Sequence, residues 1–419
     1  MPKKIVLDAS QRKNRGMILR LIRKNGPISR KHLGELSNLN KATVSTIVRD
    51  LLESGVIRQT GSIDRGDGRR TIGLALHMDR FVCIVLRITK DHIKSGILTL
   101  HQDLCNFRQI RYLDSFSIET IVQQLFQEIE IQIAYCAENR YKILGISLAS
   151  LGYLIVENDS YEIHADGFRT LSETDFHRRI QERYPGYCVL MNHDANASAF
   201  AELESYVKEG NPTPSVLLNI VGDIGLGGGI IIDGHILRGH HGIAGEIGHM
   251  GIHGADVGES AYRRSTYEEY SSPYAVRRMV RDDAQDYEGT CLTPDASLEE
   301  IYDAYEAGDP LAGYAMNRSA RYMAYGLAGL AYVLDPEVII LGDKITTSGK
   351  YRETVHRYLE EFLPRVMRSR IRLRFSEFKQ DSALIGAGII LFDTVMEDGS
   401  IIGYINEYNE EAEIFTGNK

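Results

Sequence analysis

Glu246 and His249, in the stretch AGEIGHMGIHG, are a carboxylate and an imidazole three residues apart behind a glycine. At that spacing both side chains fall on one side of a helical turn. Neither is cheap to bury without a partner, so the pair is a candidate for chemistry. A second carboxylate, Asp194, stands in LMNHDANASAFAELE after the apolar run CVLM and before an Ala-rich stretch. At the C-terminal end of a strand, beside a helix start, it could accept a hydrogen bond from a hydroxyl or serve as a base. A plain helix N-cap is the alternative. In GDIGLGGGIIIDG, the glycines 225, 227, 228 and 229 suggest a flexible turn between strands. Its N–H groups could hold a phosphate or hydroxyls, with a simple β-hairpin turn as the other reading.

The elements that must carry these groups alternate from about residue 78 onward. FVCIVLRIT and IKSGILTL read as strands, ETIVQQLFQEIEIQIAYCAENR as an amphipathic helix and ILGISLA as a strand. SVLLNIV and GGGIIIDGHIL are strands joined by DIGLGGG. MNRSARYMAYGLAGLAYVL is a helix in which Gly326 and Gly329 would permit close packing, EVIILGD is a buried strand, and LIGAGIILFDTVM closes with a helix. The alternation predicts α/β layers. No apolar run reaches the ~18 residues of a membrane span, and the basic start lacks a signal peptide's apolar core. The five cysteines, 83, 105, 136, 188 and 291, show neither pairing nor metal spacing. A cytoplasmic protein with buried thiols is the expectation.

Charge divides the chain. Residues 1–80 hold 17 Lys and Arg against 7 Asp and Glu, whereas the remaining 339 residues hold 31 against 50. A basic head on an acidic body predicts that only the head meets a polyanion, with a solvated basic face as the alternative. The head reads as three helices and a hairpin. The first carries Met17, Ile18, Leu21 and Ile22 and stops at Gly26-Pro27. Ser29 can cap a second, with Leu33 and Leu36 inward, and Asn40 a third, with Val44, Ile47, Val48, Leu51 and Leu52 buried before Gly55. Two short helices across a tight turn, followed by VIRQTG, SIDRGDGRR and TIGLALH, describe a winged helix-turn-helix. Its third helix exposes Lys41, Thr43, Ser45, Thr46 and Arg49 for a major groove, and Arg65, Arg69 and Arg70 stand at the wing tip within reach of phosphates or a narrow minor groove.

These motifs, in this order behind a winged helix, resemble the ROK family of repressors, open reading frames and sugar kinases. The likeness runs from the helix-turn-helix through GGIIIDG, AGEIGH and PEVIILGD to LIGAG. It implies two actin-like lobes with a sugar in the cleft. By the same resemblance Asp194 matches the catalytic base of the kinases, with His193 replacing their Asn. Glu246 and His249 match sugar-hydroxyl ligands, Glu268 in STYEEYSS a further ligand, and Gly152 in LASLGYL the glycine of a PG turn whose proline is Leu151 here.

Two departures matter. The family holds zinc with the His of GH and three cysteines; here that loop is GADVGESAYRRST, and Thr266 stands at the last cysteine. His253, Asp256 and Glu259 are the nearest replacements, but oxygen-rich loops of this kind are usually solvated surface, so no metal and no cofactor are expected. Family kinases open the body with DxGGTK. The matching place is RITKDHIKSGIL, with Arg87 at the Asp and Thr89 and Lys90 at the glycines. A cation cannot act as a metal-side carboxylate, and side chains fill the space that phosphates need. The expectation is a non-enzyme: a sugar-responsive repressor that binds operator DNA as a homodimer and takes a sugar effector in the cleft. A DNA-binding protein that kept ATP-dependent sugar kinase activity is the alternative, and a body that binds a protein partner is a third reading. The expected domains are a winged helix-turn-helix over 1–77, a first ROK lobe over 78–197 with helix 383–398 packing back, and a second lobe over 198–382.

Overall fold

The computed structural model describes residues 9–64, 70–77, 79–111, 117–157, 160–164, 175–253, 265–345, 348–378 and 381–397. The head comprises α1 (Ala9–Asn25), α2 (Arg30–Ser37), α3 (Lys41–Glu53), β1 (Ile57–Asp64) and β2 (Arg70–Leu76). Ser29 Oγ accepts from the N–H of His32 at 3.3 Å, and Asn40 Oδ1 from that of Thr43 at 2.8 Å, so both caps fall where expected. Gly55, at φ 72°, ends α3. Val44, Ile47, Val48 and Leu51 form the buried stripe of α3, with Leu52 only half-buried. Leu36 corrects the reading of α2. It is 46% exposed, because Leu33 and Ser37, four apart, form the inward line and Leu36 lies one position off it. Arg15, buried, reaches Asp50 at 2.6 Å and ties α1 to α3. The Ile28–Leu74 bridge sews the start of α2 to the antiparallel wing.

In chain order β3 (Phe81–Ile88), β4 (His92–Thr99), β5 (Leu104–Arg111), α4 (Ile118–Glu138), β6 (Lys142–Ser150), β7 (Tyr153–Glu157), β8 (Ser160–His164), α5 (Phe176–Arg183) and β9 (Cys188–His193) follow. Next come α6 (Asp194–Lys208), β10 (Val216–Gly222), β11 (Leu226–Ile232), β12 (His235–Ile236), α7 (Glu268–Ser271), α8 (Pro273–Asp283), α9 (Leu298–Ala307) and α10 (Pro310–Leu334). The last are β13 (Val338–Asp343), α11 (Gly349–Phe362), α12 (Arg365–Arg368), β14 (Arg372–Phe375) and α13 (Ser382–Glu397). The chain divides into two compact units, one of Met1–Ser150, Glu157–Asn192 and Ala387–Lys419, the other of Leu151–Val156 and His193–Gly386.

The first unit carries a sheet in the order β5-β4-β3-β6-β9. The second carries β12-β11-β10-β13-β14. Numbered by chain order within its own five strands, each sheet runs third, second, first, fourth, fifth, so one topology is used twice. In the first sheet α4 faces Ser95, whose hydroxyl donates to the buried Glu128 at 2.6 Å. On the opposite face, a Cβ at Gly388 of α13 would meet Leu98, Cys83 and Val85 within 2.9 Å. The head joins this unit through the same helix: Arg23 pairs with Asp393, Arg20 with Glu397 at 3.3 Å, and Gly16 lies against the Glu397 carbonyl.

In the second unit the glycine stretch takes the β-hairpin alternative, with a turn shorter than DIGLGGG. Gly227, Gly228 and Gly229 lie inside β11, paired with β10, and only Asp223–Gly225 make the turn. Their lack of a side chain serves packing: a Cβ at Gly229 would sit 2.4 Å from both the Ala195 carbonyl oxygen and the Ala199 Cβ of α6. In α10, Gly326 does receive a neighbour, the Tyr267 ring, but Gly329 is exposed with nothing near it and has no packing role.

Candidate functional site

Strand β9 ends at His193 and α6 begins at Asp194, so a strand end and a helix start deliver two polar side chains side by side. Asp194 occupies the first turn of the helix, where the N-terminal dipole favours a carboxylate. His193 Nε2 lies 3.7 Å from Asp194 Oδ1 and 3.4 Å from Glu246 Oε1. Glu246 immediately precedes the 3₁₀ turn Ile247–His249, which carries His249 round beside it. His249 Nδ1 in turn lies 3.6 Å from Glu268 Oε1 at the start of α7. Burial pushes the Glu246 carboxyl above its ordinary range; His193 and His249 oppose that rise, and Asp194 and Glu268 add to it. His193 thus approaches two carboxylates and His249 a third. Three carboxylates and two imidazoles present acceptors and switchable donors to a polyhydroxylated ligand.

Glycines let this group assemble. Glu268 Oε2 stands 2.4 Å from where a Cβ of Gly225 would be and 3.1 Å from that of Gly248, and it accepts from the N–H of Leu226 at 3.4 Å. Gly225 thus makes room for a carboxylate rather than a phosphate. The residue before Glu268 was not singled out in the sequence. Tyr267 is fully buried, its hydroxyl donates to the Met323 carbonyl at 2.7 Å, and its ring fills the gap left by Gly326. Glu202, about two helix turns beyond Asp194 on α6, is buried too, and desolvation raises its carboxyl to about 7. No local spacing marks either residue, because their partners lie far away in sequence. Gly152 follows β6 at φ 84°, a conformation suited to glycine, and among the described residues no hydrogen bond joins it to the cluster.

The other candidate surface is the head. Lys41, Thr46 and Arg49 are exposed on α3, and Thr43 and Ser45 are half-buried beside them. Arg70 is exposed at the first position of β2, whereas Arg65 and Arg69 lie outside the described residues.

Residues 83–394 match the ROK family, and residues 11–58 match winged helix-turn-helix DNA-binding. The chain belongs to the ROK family. It is 27% identical to the xylose repressor of Bacillus subtilis (strain 168) over 80% of this chain and 83% of the repressor. It is 25% identical to the DNA-binding transcriptional dual regulator NagC of Escherichia coli (strain K12) over 82% of this chain and 83% of NagC. A solved ROK family transcriptional regulator, a homolog of the E. coli MLC protein, shares the fold with a TM-score of 0.79 at 23% identity, over 96% of this chain and 100% of that one. Solved ROK kinases share the fold of the body. A winged helix-turn-helix ahead of a ROK body makes this a DNA-binding regulator of the family.

Arg87 is buried in β3 opposite Lys94. The turn beyond it closes on itself: Thr89 Oγ1 donates to Asp91 and to the His92 carbonyl and accepts from the His92 N–H at 3.1 Å. The zinc implied by the family does not fit the described donors. Thr266 is buried with a hydroxyl in place of a thiolate, and His253 stacks on Tyr270. Among the described residues no three His, Cys, Asp or Glu side chains converge to hold an ion. Asp256 and Glu259 lie outside those residues. Among the described residues, no helix is long and apolar enough to cross a membrane.

Proposed function

We propose that this ROK protein is a cytoplasmic, sugar-responsive transcriptional repressor without kinase activity, acting as a homodimer on operator DNA. The reading takes residues 1–77 as the DNA-binding domain, 78–197 with 383–398 as one ROK lobe and 198–382 as the other. In it, α3 lies in the major groove with Lys41, Thr43, Ser45, Thr46 and Arg49 toward the bases and phosphates, and Arg65, Arg69 and Arg70 of the wing follow the backbone. His193, Asp194, Glu246, His249 and Glu268, with Gly152, take the hydroxyls of a sugar.

The observation that carries this reading is the approach of His193 to Asp194 and Glu246 and of His249 to Glu268, and it is supported by the buried Arg87, which we take to stand at the kinase-type phosphate position. A site of that composition binds hydroxyls, and Arg87 disfavours the magnesium needed to move a phosphoryl group. Sugar then acts on DNA binding only so far as it prefers one conformer of the regulator.

The test is a sugar titration of the operator complex, with D-xylose and N-acetyl-D-glucosamine as the first probes. If Asp194 accepts a charge-assisted hydrogen bond from a hydroxyl, that bond contributes about 1.5–3 kcal/mol. Asp194→Asn should then need roughly ten- to a hundredfold more sugar to respond while binding operator as wild type does. An equal response in both proteins removes Asp194 from the site. Sugar-dependent ADP formation by wild type would establish the kinase instead.

A further inference from the structure

The chain leaves the cluster after His249 and returns to it at Glu268. The two limbs that flank this excursion, Met250–His253 and Ser265–Tyr267, are joined by their backbones. Ile252 and His253 N–H both donate to the Ser265 carbonyl, at 2.9 and 3.3 Å, and Tyr267 N–H donates to the Met250 carbonyl at 2.8 Å. Gly251 and Thr266 form an antiparallel bridge, and Ser265 and Thr266 are buried.

A row of rings continues this seam. His253 stacks on Tyr270 with ring centroids 5.6 Å apart and planes 14° apart. Tyr270 packs on Tyr322 of α10 at 4.5 Å. The guanidinium of Arg318, one turn earlier on α10, lies 6.0 Å from both tyrosine rings. His253 is four residues after His249, and Tyr270 is two after Glu268. Tyr322 is four before Gly326, where Tyr267 docks. The row thus holds both limbs against a 25-residue helix whose inner side is core.

The elements that carry His249 and Glu268 are a three-residue 3₁₀ turn and a four-residue helix. Elements that short do not hold their own geometry and take it from what they pack against. We infer that the His253–Tyr270–Tyr322 row is a positioning clamp that sets the spacing of His249 and Glu268, and so tunes the ligand affinity of the cluster. Only that last clause rests on the sugar reading.

The experiment uses the full chain with Tyr322→Ala, Tyr322→Phe and His253→Ala. Hydrogen exchange is followed at the amides of 249–253 and 265–271. Losing one ring pair should speed exchange there by about three- to tenfold, while Tyr322→Phe, which keeps the ring, stays at the wild-type rate. Amides of Leu311–Ser319 report whether α10 itself is intact. Should Tyr322→Ala open α10 as well, His253→Ala, whose side chain lies on the limb and not on the helix, decides the matter. Operator complexes of the same proteins are then titrated with D-xylose and with N-acetyl-D-glucosamine. The alanine variants should need several-fold more sugar, Tyr322→Phe should respond as wild type, and all should bind sugar-free operator equally. Unchanged exchange in the alanine variants overturns the clamp. Faster exchange with an unmoved sugar midpoint overturns its positioning role. A wild-type protein that answers neither sugar counts against the sugar reading, and exchange still decides the clamp.

Discussion

Gly229→Ala is the substitution through which packing in the second unit should reach the site. The added methyl would lie 2.4 Å from the Ala195 carbonyl oxygen and 2.4 Å from the Ala199 Cβ, about 1 Å inside ordinary contact. Neither neighbour can rotate away. One is backbone and the other a methyl on a helix that buries Ala195, Ala197, Ser198, Ala199 and Leu203. Either α6 or β11 must move, and overpacking of this kind costs about 1–3 kcal/mol. Because Ala195 directly follows Asp194, a shift of α6 by about 1 Å also displaces the carboxylate; if Asp194 takes a sugar hydroxyl as proposed, most of that hydrogen bond is forfeited, about 1.5–3 kcal/mol of sugar affinity. Urea unfolding and a sugar titration of the operator complex read the two effects separately. Gly329→Ala, in open space on α10, serves as the control and should stabilise the protein by about 0.5–1 kcal/mol, since alanine is the better helix former. A Gly229→Ala protein with wild-type stability and wild-type sugar response would refute the account of β11 as a packing seam that positions Asp194.

Glu202 predicts a pH effect. Its folded-state carboxyl is raised to about 7 from 4.5, so the folded state binds more protons than the unfolded one between those values, and stability falls as pH rises through that window. Glu202→Gln should recover up to roughly 3 kcal/mol at pH 8 and nothing below pH 4, read from urea midpoints across pH; a constant difference would contradict the assignment. In the head, Arg69→Ala with Arg70→Ala should lower the slope of log affinity against log salt by up to about 2. Parallel salt plots would take the wing off the DNA. Elemental analysis of purified protein should find no stoichiometric zinc, and chelator should leave the melting temperature unmoved; near-stoichiometric zinc would show that His249 has partners beyond the described residues.

Local chemistry made the head readable from sequence. Ser29, Asn40 and Gly55 announce helix ends because a cap acts on backbone groups within three residues of itself. Leu36 was misjudged because an eight-residue helix offers too few turns for periodicity to fix its inward line. The strand-helix alternation of the body was legible for the same local reason, and so was the placing of Asp194 at a strand end. The twofold use of one sheet order was not legible, since topology can repeat without any repeat in residues. The glycines of GDIGLGGG show the limit most plainly. Sequence supplied the missing Cβ atoms, but turn and strand suit them equally. Only the packing of α6 on β11 decided that Gly229 clears a helix and that Gly225 clears Glu268. The polar residues themselves were visible one by one. Their convergence on Glu246, and the buried Tyr267 behind them, came from contacts between segments dozens of residues apart, which tertiary packing sets and no window of sequence contains.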